Sequence, residues 1–78
     1  MRTAGKVQLT VILNGNHTVV AEGSGIRELV LSLSLNPERV AVELNRVIVR
    51  RGAWGSTTIS EGDRVEIVHF VGGGSDAE

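Results

Sequence analysis

A chain of 78 residues, 41% hydrophobic and 22% charged, with no cysteine and a formal net charge of −1, can build one small core, because at this size only about 60% of the unfolded surface is buried on folding. The near-neutral balance excludes the basic footprint of a nucleic-acid binder. The missing cysteines exclude a disulfide framework and a thiolate metal site.

The opening, MRTAGKVQLTVIL, starts charged and turns apolar in the manner of a signal peptide. Gln8 and Thr10 interrupt the apolar run, however, and Asn14-Gly15 follows at once. The reading is therefore a first strand in a cytoplasmic protein, with neither membrane nor nucleic acid as partner. Val7, Leu9, Val11 and Leu13 alternate with other residues, the period-two pattern of a strand with one buried face. Asn14-Gly15-Asn16 tolerates positive φ, so His17 to Ala21 returns antiparallel as a hairpin.

The period then changes. Ile26, Leu29, Val30 and Leu33 form one stripe of a helix of about ten residues, ended by Asn36-Pro37. Ser24 is the expected N-cap, and Glu28 suits the positive end of the helix dipole. Val40, Val42 and Leu44 make a third strand and Val47-Ile48-Val49 a fourth, across an Asn45-Arg46 turn. An irregular stretch from Arg50 carries Trp54, read as a plug beneath its own loop, and Glu61-Gly62-Asp63 is a tight turn. Arg64 to Val71 is the last strand, with Val65 and Ile67 on one face and Glu66, Val68 and Phe70 on the other.

The order β-β-α-β-β-β favours an α+β domain, a β-grasp (ubiquitin-like) mixed five-stranded sheet with one main helix packed on one face. The last strand is expected in the middle, parallel to the first, because a helical crossover separates the two halves. The domain spans residues 1–71, and 72–78 form a flexible, glycine-rich tail.

Little of the chain looks catalytic. Gly23-Ser24-Gly25 lacks the further glycine or the Gly-Lys-Ser/Thr of a nucleotide loop and reads as a helix start. His17 and His69 have no carboxylate at metal-ligand spacing, so no metal site and no bound cofactor is expected. No serine sits in a nucleophile elbow and no carboxylates are paired for acid–base work, so the chain reads as a non-enzyme. Two features remain. Val68 and Phe70 on a solvent face, beside Glu66, mark either a partner site or packing against a loop. Gly72, Gly73 and Gly74, followed by Ser-Asp-Ala-Glu, are either a disordered terminus or a thin rod that enters something narrow.

The run VEIVHFVGGG over residues 65–74 resembles the C-terminus of the ThiS family, the ThiS/MoaD-like, ubiquitin-like sulfur carriers of thiazole (thiamin) synthesis. AVELNRVIVRRGAW over 41–54 and the EGD turn over 61–63 extend the likeness from Val7 to Gly74. The resemblance implies that the carboxylate of Gly74 is adenylated with ATP by a ThiF-type enzyme. Sulfur from a cysteine-desulfurase relay then replaces the adenylate, and the thiocarboxylate serves a ThiG-type thiazole synthase. Side chains would block a narrow channel, and the four extended residues from Phe70 to Gly74 reach roughly 14 Å. Ser75 to Glu78 depart from the family pattern, because they leave Gly74 in an amide. Either a peptidase of the JAMM type removes them or they have another origin. Sulfur carriers of cysteine, methionine or molybdopterin synthesis and ubiquitin-like modifiers share the same logic and stay open here.

Overall fold

The computed structural model describes residues 7–70. Its elements are strands β1 (Gln8–Leu13) and β2 (Asn16–Ala21), helix α1 (Ile26–Ser32), and strands β3 (Val40–Leu44), β4 (Val47–Val49) and β5 (Arg64–His69). Two short 3-10 helices, Pro37–Arg39 and Arg51–Ser56, fill the connections. The strands form one sheet in the order β2-β1-β5-β3-β4. β5 lies in the middle, parallel to β1 and antiparallel to β3. This is the β-grasp arrangement expected from the element order.

Both hairpins turn on paired positive φ angles. Asn14 and Gly15 stand at 48° and 86°, and Asn45 and Arg46 at 52° and 73°. Such turns match the right-handed twist of the strands they join. Val7, expected on the buried face of the first strand, stands just before β1, where its carbonyl accepts the Glu22 N–H, and its side chain is 59% exposed.

The helix departs from expectation at both ends. Its N-cap is Gly25, not Ser24, and the Gly25 N–H donates to Glu28 Oε1 at 2.9 Å. Ser24 is engaged through its backbone instead: its N–H donates to the Ala21 carbonyl and its carbonyl accepts from Ile59. The site is tight: a Cβ at 25 would stand 2.8 Å from Glu28 Oε1, which would have to swing away and give up its bond to the Gly25 N–H, and 3.3 Å from the Thr57 carbonyl. The C-terminus comes early. Ser34, at φ 62°, donates to Leu31, and Leu35 donates to Val30, the paired bonds of a Schellman motif. The helix is thus seven residues long, and Leu33, expected on the apolar stripe, is 39% exposed. Asn36-Pro37 begins a new turn rather than ending the old one, with Asn36 Oδ1 accepting the Glu38 N–H at 2.9 Å.

The core joins three layers of chain. Val11, Val42 and Val65 come from the sheet, Ile26, Leu29 and Val30 from α1, and Trp54 and Ile59 from the connection before β5. Trp54 plugs the core beneath its loop as expected, at 1% exposure, and its indole N–H donates to the Val49 carbonyl at 2.9 Å. That bond removes the penalty of burying a polar edge. Among the described residues no helix is long and apolar enough to cross a membrane.

Candidate functional site: the outer face and end of strand β5

Three residues of the expected partner surface fall among those described: Glu66, Val68 and Phe70. Period-two alternation sends Val65 and Ile67 to the helix side, where Val65 is fully buried and Ile67 packs against the core. Glu66 and Val68 therefore point away, and Val68 and Phe70 are 57% and 43% exposed. Gly72, Gly73 and Gly74, expected as the tail and its reacting end, lie outside the described residues, as do Val71 and the domain boundary at 71.

The base of β5 is fastened from both sides. Val65 stands opposite Leu13 of β1 and Leu44 of β3. The two hairpin-turn asparagines then act as clamps. Asn14 Oδ1 accepts the Ile67 N–H at 2.7 Å, and Asn14 Nδ2 donates to the Ile67 carbonyl at 3.3 Å, so a side-chain amide extends the β1 ladder past the end of that strand. Asn45 Oδ1 accepts the Arg64 N–H at 2.9 Å, and its Nδ2 donates to Asp63 Oδ1 at 3.0 Å. Sequence reasoning took both asparagines only as turn formers. Their second task leaves no local signal, because its partners stand 53 and 19 positions away.

Farther along, among the described residues, β5 is held through β3 alone, where Val68 pairs with Ala41 and His69 with Val40, and the Phe70 N–H donates to the Arg39 carbonyl at 2.8 Å. Two further features of the outer face went unread. Glu66 sits directly across from Glu43, a like-charge cross-strand pair that costs stability. Ile48, paired with Glu43 from the β4 side, is 70% exposed. The outer face thus offers Ile48, Val68 and Phe70 as exposed apolar surface around two carboxylates. His17, on β2, and His69, at the end of β5, stand on different strands, and among the described residues no group of His, Asp and Glu could hold a metal ion.

A family model, the ThiS family, matches residues 7–74. The chain belongs to the ThiS family. It is 36% identical over 63 residues to the sulfur carrier protein ThiS of Bacillus subtilis, covering 80% of this chain and 96% of that protein. It is 39% identical over 66 residues, 85% of its length, to a thiazole synthase of Magnetococcus marinus, of which it spans 20%. A second thiazole synthase, from Paramagnetospirillum magneticum, is matched over 21% of its length, so the chain spans about a fifth of these two relatives. Among solved structures, the thiamine biosynthesis protein ThiS of Geobacter metallireducens superposes with a TM-score of 0.74 at 37% identity, covering 83% of this chain and 99% of that one.

Proposed function

We propose that this chain carries sulfur as a thiocarboxylate on Gly74 and delivers it to thiazole synthesis. In the first step an oxygen of the Gly74 carboxylate attacks the α-phosphorus of ATP, pyrophosphate leaves, and an acyl-adenylate forms. The terminal sulfur of a persulfide on the cysteine-desulfurase relay then attacks the carbonyl carbon and expels AMP, and a thiol attacks the relay-side sulfur of the resulting acyl disulfide, releasing the thiocarboxylate and leaving a disulfide on the relay. Activation is needed because an unactivated carboxylate oxygen is a poor leaving group. The ThiF-type adenylating enzyme supplies the catalytic groups, and the carrier supplies a docking face and a side-chain-free approach.

The observation that carries this reading is the placement of β5. In a ThiS-family chain, the strand that runs into Gly72-Gly73-Gly74 is fastened at its base by Asn14 and Asn45 and turns Val68 and Phe70 outward. A fixed strand base aims the glycines, and the exposed apolar pair gives the enzyme something to hold. The names of the two matched thiazole synthases support a ThiG-type enzyme as the recipient. Ser75–Glu78 must first be removed, by a JAMM-type or similar peptidase, since they keep Gly74 in an amide.

The test is intact-mass spectrometry of two chains, one ending at Gly74 and one running to Glu78. Each is incubated with ATP, a ThiF-type enzyme from the same host and a sulfur donor. The shorter chain is expected to form the adenylate and then gain the mass of an oxygen-to-sulfur exchange, and the longer chain to stay unchanged. A shorter chain that never gains adenylate or sulfur would overturn the carrier reading.

A further inference from the structure

The pairing of Val42 with Val49 brings the next residue of the chain, Arg50, beside Ala41, which itself pairs with Val68. Where β3 begins and β4 and β5 end, the strands leave an open groove of about 250 Å³. Ala41, Ile48 and Trp54 line it with apolar surface, Phe70 contributes one side, and Arg50 and Arg51 contribute the other. Among the described residues no carboxylate lines it. Arg51 is held in place: its Nε donates to the Pro37 carbonyl at 3.0 Å and its guanidinium carbon stands 5.8 Å from the centre of the Trp54 ring. Among the described residues one donor is used there, of the five N–H groups a guanidinium offers.

We propose that this groove receives the acidic segment Ser75–Glu78 of the same chain, with Asp76 and Glu78 on Arg50 and Arg51. Three observations lead to this occupant. Phe70, from which the chain continues, is itself part of the groove. Residues 71–78, VGGGSDAE, contain two carboxylate side chains and no cation, the complement of a groove with two arginines. The reach also suffices. From β5 to β4 is two strand spacings, roughly 10 Å, while the six residues from Phe70 to Asp76 span up to about 20 Å. Gly72 to Gly74 can reverse direction in between without a side-chain penalty. Exposed ion pairs are individually weak, but a segment tethered beside its groove acts at an effective concentration in the millimolar range. Seated there, Ser75–Glu78 draw Gly74 back against the sheet. This consequence rests on the carrier reading: removing the four residues would both create the carboxylate and release the glycines toward the enzyme.

Amide and indole NMR spectra of three chains decide it: residues 1–78, the chain ending at Gly74, and the 1–78 chain with Asp76→Asn and Glu78→Gln. The groove signals of Ala41, Ile48, Arg50, Phe70 and the Trp54 indole N–H are expected to differ between the first two chains. The doubly neutralised chain should reproduce the spectrum of the shorter one. The difference should fade between about 0.01 M and 1 M salt, as the screening length falls from about 30 Å to about 3 Å. Coincident groove signals at low salt, a difference that ignores salt, or one that survives neutralisation would each overturn the proposal. Adenylation of the Gly74-ended chain is read separately. If that chain is adenylated while the groove signals coincide, docking fails and the carrier reading stands. If the signals shift as expected and no adenylate forms, the carrier reading fails and docking stands.

Discussion

Val65 and Val68 lie three residues apart on the same strand, and only one of them belongs to the fold. Val65 has a strand on each side, faces α1 and is fully buried, whereas Val68 is paired through β3, faces outward and is 57% exposed. The base of β5 is also where the Asn14 and Asn45 side chains fasten. Its far end instead carries the exposed Val68 and Phe70, while the Glu43–Glu66 opposition lies on the outer face of the base itself. The difference teaches that side-chain type does not assign a residue to stability or to contact. Parity along the strand and the number of flanking strands do.

The largest effect that can break this comparison is a truncation in the buried half. Val65→Ala should cost about 2–3 kcal/mol in denaturant unfolding, from lost burial and the cavity left behind. Val68→Ala should stay within about 0.5 kcal/mol, as surface changes do. Equal costs would mean that the two faces of β5 are wrongly assigned. Phe70→Ala belongs with Val68: its loss should show in adenylate formation by the Gly74-ended chain rather than in the unfolding midpoint.

A middle-sized effect concerns the Asn14 clamp. Asn14→Gly keeps a residue at ease with φ 48° while deleting both amide contacts to Ile67, so it should cost about 1 kcal/mol and speed hydrogen exchange at the Ile67 amide. Asn14→Ala should cost roughly 1–2 kcal/mol more, because its Cβ crowds the left-handed conformation. Unchanged exchange at Ile67 in the glycine variant would show that the clamp contributes nothing to holding β5.

The smallest effect should be a gain. Glu66→Lys replaces a like-charge pair across from Glu43 with an opposite one, and is expected to stabilise by a few tenths to about 1 kcal/mol, more at low salt than at high. If Glu66 serves partner contact, the same variant should be adenylated more slowly despite its greater stability. A variant that is both less stable and normally adenylated would remove Glu66 from the docking face and leave the apolar residues to account for it.

Much of this was legible in the chain. Val11, Val40, Val42 and Val65 announce themselves by alternation, Ile26, Leu29 and Val30 by helical spacing, and Asn14-Gly15 by the dihedral angles its turn needs. The central, parallel position of β5 followed from the helical crossover. The outward placement of Val68 and Phe70 followed from the alternation that buries Val65. Ile59 was not legible, since it is a lone apolar residue in the polar run SerThrThrIleSer and has no periodicity to join.

The sequence by itself determined the element order, the one-sided burial of each strand and the glycine run, because each depends on residues within a few positions of one another. Tertiary structure alone decided that Gly25 rather than Ser24 caps the helix, since the Ser24 carbonyl is taken by the Ile59 N–H and it is the Gly25 carbonyl that accepts from Leu29. It also turned two turn-forming asparagines into fasteners of β5, set Glu43 across from Glu66, and brought Arg50 and Arg51 to the groove beside Phe70. Each of these depends on register between strands distant in the chain. Register follows from the packing of the whole sheet against α1, a sum over many contacts that no short stretch of sequence carries.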